Sequence, residues 1–185
     1  MEQLLPHVFR ILPGEEPLSS DVFVVEGENR YYVYDVGSND EALRALEKLE
    51  KPVWVILSHF HQDHTANMAR FSPEEVWCGA RTKKYIGRGT TVEEERIIED
   101  GVRIRVLPCV SPHAPGSLVM VVDDTWAFLG DLCYARPGMG RGEARGMYRV
   151  LKGMPVSYFI QSHRKEGLLQ EKEALLREIR EYFEL

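Results

Sequence analysis

Residues 58–65 read SHFHQDHT, and this stretch holds His59, His61, Asp63 and His64, so three of the chain's six histidines lie together. Neutral imidazole is the commonest side-chain metal ligand, and a carboxylate beside it suits zinc, manganese or iron. Residues two apart on an extended segment point to the same side, so His59 and His61 can serve one ion. Asp63 and His64 diverge where the chain turns, which fits them to a second ion. Such a run makes a rigid half-site that more distant ligands must close. The candidates for closing it are His113 in SPHAPGS, Asp131 in FLGDLCY and His163 in FIQSHRK. Each follows a strand-like run or lies in a Pro/Gly loop, where a rigid scaffold can aim side chains into one cleft. Singly, each would more often be an ordinary loop or core residue. Together they are the rest of a six- or seven-ligand site. His7 is left over and reads as structural.

The elements that must position these residues begin with short strands over 8–12, 21–26 and 30–35, rich in Val, Phe and Tyr. A helix is predicted over 39–50, capped by Asn39 or Asp40, with Ala42, Leu43, Leu46 and Leu49 on its apolar face. The run VWVIL at 53–57 is continuously apolar and of strand length, so it reads as a buried central strand with the histidine run at its C-terminal end. A short helix over 65–71, a strand over 75–78 and a helix over 81–86 follow. Asp100-Gly101 joins strands at 96–99 and 102–107 as a hairpin, and Asp123-Asp124 joins 118–122 to 126–129. The tail reads as a helix over 143–152, a strand over 156–161 and a helix over 168–183. That last helix carries Leu168, Leu175, Ile179 and Tyr182 on one side, with Glu173 and Arg177 able to pair on the other. This order predicts two sheets packed together with helices outside, an α/β layered sandwich.

Composition sets wider bounds. A chain of 185 residues fits one domain, 1–185, able to bury about 70% of its unfolded surface. Hydrophobic residues at 44% and charged residues at 28% give a globular balance. The net charge of -6 argues against nucleic acid as the main partner. The N-terminus has no basic start, Pro6 and Pro13 cut its apolar runs, and no run approaches the roughly 18 residues of a membrane span. Cys78, Cys109 and Cys133 make no disulfide framework, so a reduced cytoplasmic protein is expected. A homo-oligomer is left open.

Taken in order, Asp35 in YDVG, the SHFHQDH run, His113, Asp131 in GD and His163 after a strand resemble the metallo-β-lactamase-fold hydrolases over almost the whole chain. The resemblance implies a four-layer αββα sandwich. In that pattern His59, His61 and His113 hold one metal, Asp63, His64 and His163 hold the other, and Asp131 bridges both. Asp35 would hold the ligand loop without binding metal. Two zinc ions are expected, and iron or manganese suits the same ligands. Two ions about 3.5–4 Å apart can share a water and bring its pKa toward roughly 7. The implied enzyme therefore uses a metal-bridging hydroxide on a small-molecule ester, thioester or lactone, with Asp63 orienting it or taking a proton. No serine or cysteine nucleophile is required.

Departures from each branch of that family narrow the choice. Its secreted β-lactamases lack the fourth position of HxHxDH or the bridging aspartate, and its RNA-processing members carry large inserted domains. Glyoxalase II enzymes share the ligands but add a C-terminal helical domain, for which few residues remain after His163. A glyoxalase II or lactonase-like branch is expected. Tyr134, three residues after Asp131, resembles the lactonase tyrosine that hydrogen-bonds a substrate oxygen; a cleft-wall role is the alternative. In the Gly/Arg-rich stretch 135–147, Arg136, Arg141 and Arg145 could hold a substrate carboxylate or phosphate from a lid, or be solvated charge. Cys133 reads as a small buried residue. Two other activities stay open: a single-iron persulfide dioxygenase, which needs only a subset of these ligands, and a phosphodiester or phosphonate hydrolase. The flavodiiron pattern is disfavoured, because it usually has glutamate where His61 stands and needs a flavin domain.

Overall fold

A computed structural model describes residues 1–134, 141–164 and 166–185. In chain order the strands and helices are β1 (Glu2–Leu5), β2 (Val8–Ile11), β3 (Gly14–Glu15), β4 (Leu18–Ser19), β5 (Val22–Glu26), β6 (Tyr31–Tyr34) and α1 (Asp40–Leu46). There follow β7 (Val53–Ile56), α2 (Gln62–Thr65), a 3-10 turn (Ala66–Ala69), β8 (Glu75–Cys78), α3 (Ala80–Ile86), β9 (Thr90–Thr91), β10 (Arg96–Glu99) and β11 (Arg103–Cys109). The chain ends with β12 (Ser117–Val122), β13 (Trp126–Phe128), α4 (Arg141–Gly153), β14 (Tyr158–Ile160), β15 (Leu169–Glu171) and α5 (Lys172–Phe183). One sheet runs β1-β2-β5-β6-β7-β8-β9, the other β10-β11-β12-β13-β14-β15, and β3-β4 form a small ribbon.

Side-chain alternation in the strands explains the layering. Successive residues of a strand face opposite sides, so a strand apolar on both faces must be covered twice. In β5, Phe23 and Val25 face the other sheet, where they meet Leu118, Met120 and Val122 of β12 and Phe128 of β13. Val22 and Val24 face outward and are covered by Ala42, Leu43 and Leu46 of α1 with Met68 and Phe71. The second sheet does the same in mirror order: Val119, Val121, Ala127 and Phe159 pack under Met147 and Leu151 of α4 and Leu175, Leu176 and Ile179 of α5. The result is a four-layer αββα sandwich with its largest core between the sheets.

The strands β6, β7, β8 and β9 are parallel neighbours, and so are β13 and β14. Both hairpins read from Asp100-Gly101 and Asp123-Asp124 form as antiparallel pairs. Asn39 caps α1, its side chain accepting from Ala42 N, but the helix stops at Leu46 rather than running to residue 50. The segment expected as one helix over 65–71 begins earlier, at Gln62, and finishes as a 3-10 turn.

The C-terminal helix needs the largest correction. It starts at Lys172, because Leu169–Glu171 pairs with β14 as an edge strand and satisfies hydrogen-bonding groups that β14 would otherwise expose. Leu168 therefore packs into the core between the sheets instead of sharing a helix face with Leu175, and Tyr182 is 67% exposed. The N-terminal strand β1 was also unforeseen; its Leu4 and Leu5 pack against the same core.

Candidate metal centre

Asp35 follows β6, His59 and His61 follow β7, Asp131 follows β13 and His163 follows β14. All lie at the carboxyl ends of parallel strands, where open α/β sheets gather their ligands. His113 comes from the loop between β11 and β12. At this end the sheets are clamped together: Leu118 N donates to Ser58 O at 2.8 Å, and Tyr34 Oη donates to Leu118 O at 2.7 Å. Asp35 and His163 both adopt left-handed backbone, with φ of 62° and 64°. Asp and His tolerate that region better than most residues, and its use here re-aims two side chains into one cleft.

The seven residues fall into two groups that share one member. Ligand atoms of His59, His61, His113 and Asp131 lie within 4.8 Å of one another, and so do those of Asp63, His64, His163 and Asp131. His61 Nδ1 stands 2.9 Å from His59 Nε2 and 3.0 Å from His113 Nε2. In the second group His163 Nε2 is 3.0 Å from Asp63 Oδ2, and His64 Nε2 is 3.4 Å from both Asp63 Oδ2 and Asp131 Oδ2. Ligands at 2.0–2.1 Å from a tetrahedral zinc ion stand about 3.3 Å apart, so these spacings fit such an ion. Three imidazole nitrogens converging on one point are a donor set that suits a divalent cation. Among the described residues, His64 Nε2 and Asp131 Oδ1 are buried with no hydrogen-bond partner, which leaves both able to meet a ligand.

The supporting contacts fix which nitrogen each histidine presents. Ser58 Oγ donates to Asp35 Oδ2 at 2.7 Å and so accepts from His59 Nδ1 at 2.9 Å. Asp35 Oδ2 also accepts from His64 Nδ1 at 2.7 Å. Both protons are thereby assigned to Nδ1, leaving the Nε2 lone pairs to face the cluster. Asp35 itself is fully buried and also accepts Ser58 N at 2.8 Å.

Burial by itself lowers the His64 pKa, but the carboxylates of Asp35 and Asp131 outweigh it and lift the value to about 10. Burial likewise raises Asp131, yet His64, His163 and His113 around it hold its carboxyl below the ordinary range. For Asp63 the same contest is won by His163 and His64, and its pKa is lowered too. His163 is raised, chiefly by its bond to Asp63. The cluster thus keeps its carboxylates ionised, and carboxylates that hold a proton on His64 would equally hold a cation there.

The remaining sequence candidates are placed unequally. The Tyr134 ring lies 6.4 Å from that of His113, and its hydroxyl donates to Ser162 O at 2.8 Å. Burial pushes its pKa to about 12, so it stays a protonated wall residue with its proton already engaged. Arg136 lies outside the described residues. Arg141 opens α4 and is ion-paired with Glu184 at the end of α5, while Arg145 is exposed on α4. Among the described residues, no hydrogen bond or ion pair joins either to the cluster. Cys133 is buried, and burial raises its thiol pKa far above the ordinary value. His7 is exposed in the β1–β2 turn, away from the other five histidines. A cavity of about 520 Å³ lies on the far side of Tyr134, between Cys133, Gln161 and α5. None of the seven cluster residues lines it, so it is separate from the centre.

Two supporting residues escaped the sequence reading. Ser58 opens the SHFHQDHT run and touches Asp35, His59 and His64. Asp21 was read only as the start of a strand. It is fully buried, accepts His163 N at 2.8 Å and pairs with Arg10 at 2.6 Å, which anchors the left-handed turn. A charged residue leading the apolar run VFVV was the available signal.

The sequence model of the metallo-beta-lactamase superfamily matches residues 16–100. A metallo-beta-lactamase from Cronobacter sakazakii, altered in its HARLDQ motif, superposes with a TM-score of 0.78 at 16% identity, over 98% of this chain and 94% of that one. This is the metallo-β-lactamase fold. An archaeal metallo-beta-lactamase superfamily protein from Sulfolobus tokodaii gives 0.67 at 18% identity, over 94% of this chain and 85% of that one. A flavo-di-iron protein mutant from Thermotoga maritima gives 0.72 at 13% identity over 99% of this chain, which spans 60% of that longer protein. No curated protein matches the sequence at a significant level. The family match contains Asp35 and the whole SHFHQDHT run but ends before His113, Asp131 and His163. Those three come to the cluster through the metallo-β-lactamase fold, from the second sheet.

Proposed function

We propose that this chain is a metal-dependent hydrolase of the metallo-β-lactamase superfamily, holding two divalent ions, zinc foremost, and cleaving a small ester, thioester or lactone. The observation that carries the reading is the place of Asp131 in both four-residue groups. One buried carboxylate shared between two clusters of nitrogen and oxygen donors would let both groups hold an ion with Asp131 common to the two. Bound there, divalent ions supply Lewis acidity and a water acidified toward neutrality. The chain's own residues do the rest. Ser58 and Asp35 hold His59 and His64 in the ligating tautomer, and Asp21 holds the His163 turn. Asp63 is half-buried and kept ionised, which suits it to orient the attacking group by accepting its hydrogen bond. Tyr134 walls the cleft; to donate to a substrate oxygen its hydroxyl would have to leave Ser162. The glyoxalase II or lactonase-like branch is the one we favour.

A second reading rests on the donors themselves: a subset of them could hold a single iron for oxygen-dependent persulfide chemistry. The test is a screen of zinc-loaded protein against thioesters, lactones, simple esters and bis-p-nitrophenyl phosphate, with chelator and zinc add-back as controls. Chelator-sensitive turnover of a carboxylic ester class is expected. Trapping of an acyl group on a serine or cysteine would contradict the mechanism. Turnover of the phosphodiester alone, or oxygen uptake with glutathione persulfide by iron-loaded protein, would move the assignment.

A further inference from the structure

Of the arginines expected to meet a substrate, Arg136 lies outside the described residues and Arg141 is ion-paired with Glu184; a different arginine, Arg81, stands beside the cluster. Phe60 lies between two ligating histidines, with its ring 4.9 Å from that of His61. On its other side it stacks on Tyr85 of α3, the centroids 4.6 Å apart and the planes 11° from parallel. Arg81, one helical turn before Tyr85, places its guanidinium 5.7 Å from the Phe60 ring and 5.3 Å from the Tyr85 ring. Its Nη2 lies 3.4 Å from Tyr85 Oη. The start of α3 is also pressed against the loop that carries His113: a Cβ on Gly79 would come 1.9 Å from Gly116 O, and one on Gly116 would come 3.5 Å from Arg81 Cβ. Arg81 is therefore bracketed by both histidine-bearing segments.

Its charge is uncommitted. Arg10, Arg30, Arg70, Arg103 and Arg105 each pair with an acid, whereas no carboxylate pairs with Arg81 among the described residues. Residues 80–88, ARTKKYIGR, carry four cations and no acid in a chain of net charge -6. An arginine laid on aromatic faces keeps its donor edge free for a planar anion, and the stack fixes its position. Tyr85 is 60% exposed, so the rings offer a surface for a planar part of the same molecule.

We propose that Arg81, seated on the Phe60–Tyr85 ring pair, binds an anionic substituent, a carboxylate or phosphate, of the substrate cleaved at the adjoining centre. The proposal rests on the hydrolase reading for what is cleaved, but the binding it describes can be measured separately. The probes are phenylacetate, phenyl phosphate and the neutral phenylacetamide, titrated into wild type, Arg81→Gln, Tyr85→Leu and His59→Ala. Wild type should bind at least one anion about tenfold or more tighter than the amide. Arg81→Gln should remove that preference, Arg81→Lys should restore part of it, and Tyr85→Leu should weaken it. His59→Ala should keep it while losing any hydrolysis. Whichever anion loses more affinity in Arg81→Gln identifies the substituent. Retention of the preference in Arg81→Gln, or its loss in His59→Ala, would overturn the proposal, because the anion would then be held by the metal centre. Arg81-dependent binding in a protein with no hydrolytic activity would leave this site standing and remove the hydrolase reading instead.

Discussion

Ser58 and Asp35 decide how the histidines point, although neither carries a nitrogen ligand. Removing such a supporting contact typically costs 10–100-fold in metal affinity. Asp35→Asn and Ser58→Ala should each weaken zinc binding by about that factor in a competition titration with a chromogenic chelator; unchanged affinity would mean the tautomers are set elsewhere. His59→Ala should abolish activity with the circular-dichroism spectrum kept, while His7→Ala should leave rate and metal content as they are. At this scale the sequence was informative where function is local. SHFHQDHT shows its purpose because four donors crowd into six positions. Ser58 was not legible as part of the site, because its sequence position does not show that it joins Asp35 to His59, and Asp21 was not, because what it does depends on a partner far along the chain. For Asp21 that partner is His163, which only the folded sheets bring near.

Elements were legible where one face decides them. The strand at Val53–Ile56 and the strands either side of Asp100-Gly101 follow from apolar runs and turn residues. Boundaries set by tertiary pairing were not: β15 is a strand only because β14 lacks a partner on that edge, and its own sequence reads equally well as the start of a helix. Close backbone approaches were also invisible. Gly79 meets Gly116 O so tightly that any Cβ collides with it, and overpacking of this kind typically costs 1–3 kcal/mol. Gly79→Ala should lower the unfolding free energy measured by urea titration by that much and disturb the His113 loop, whereas Gly153→Ala, with open space around it, should be neutral or stabilising. Equal effects of the two would show that the contact relaxes freely.

Across the whole molecule the two sheets must stay in register for the centre to exist. At the end away from the cluster, Asp100 accepts from Asn29 N, Asn29 Nδ2, Arg30 N and Tyr32 Oη, tying the β10–β11 turn to the β5–β6 hairpin. Burial would raise its pKa, but these donors hold the carboxyl below its ordinary 3.8. A depressed folded-state pKa contributes stability that is present above 3.8 and lost as pH falls toward the lower folded value. Asp100→Ala should cost about 1–3 kcal/mol near neutral pH and flatten the loss of stability on the acid side. Unfolding curves measured from pH 7 to pH 3 would show it, and parallel pH profiles for wild type and variant would refute it. The four-layer order was legible from the alternation of strands and helices; the sharing of Asp131 was not readable from spacing alone, since it requires both sheets to open at one end. Elemental analysis of untagged protein purified without chelator tests that sharing most directly, with Asp131→Ala measured alongside. Two divalent ions per chain in wild type, falling in Asp131→Ala, is the result expected. Wild-type protein that takes up at most one ion with zinc in excess, or Asp131→Ala that keeps two, would contradict a centre built on one shared carboxylate.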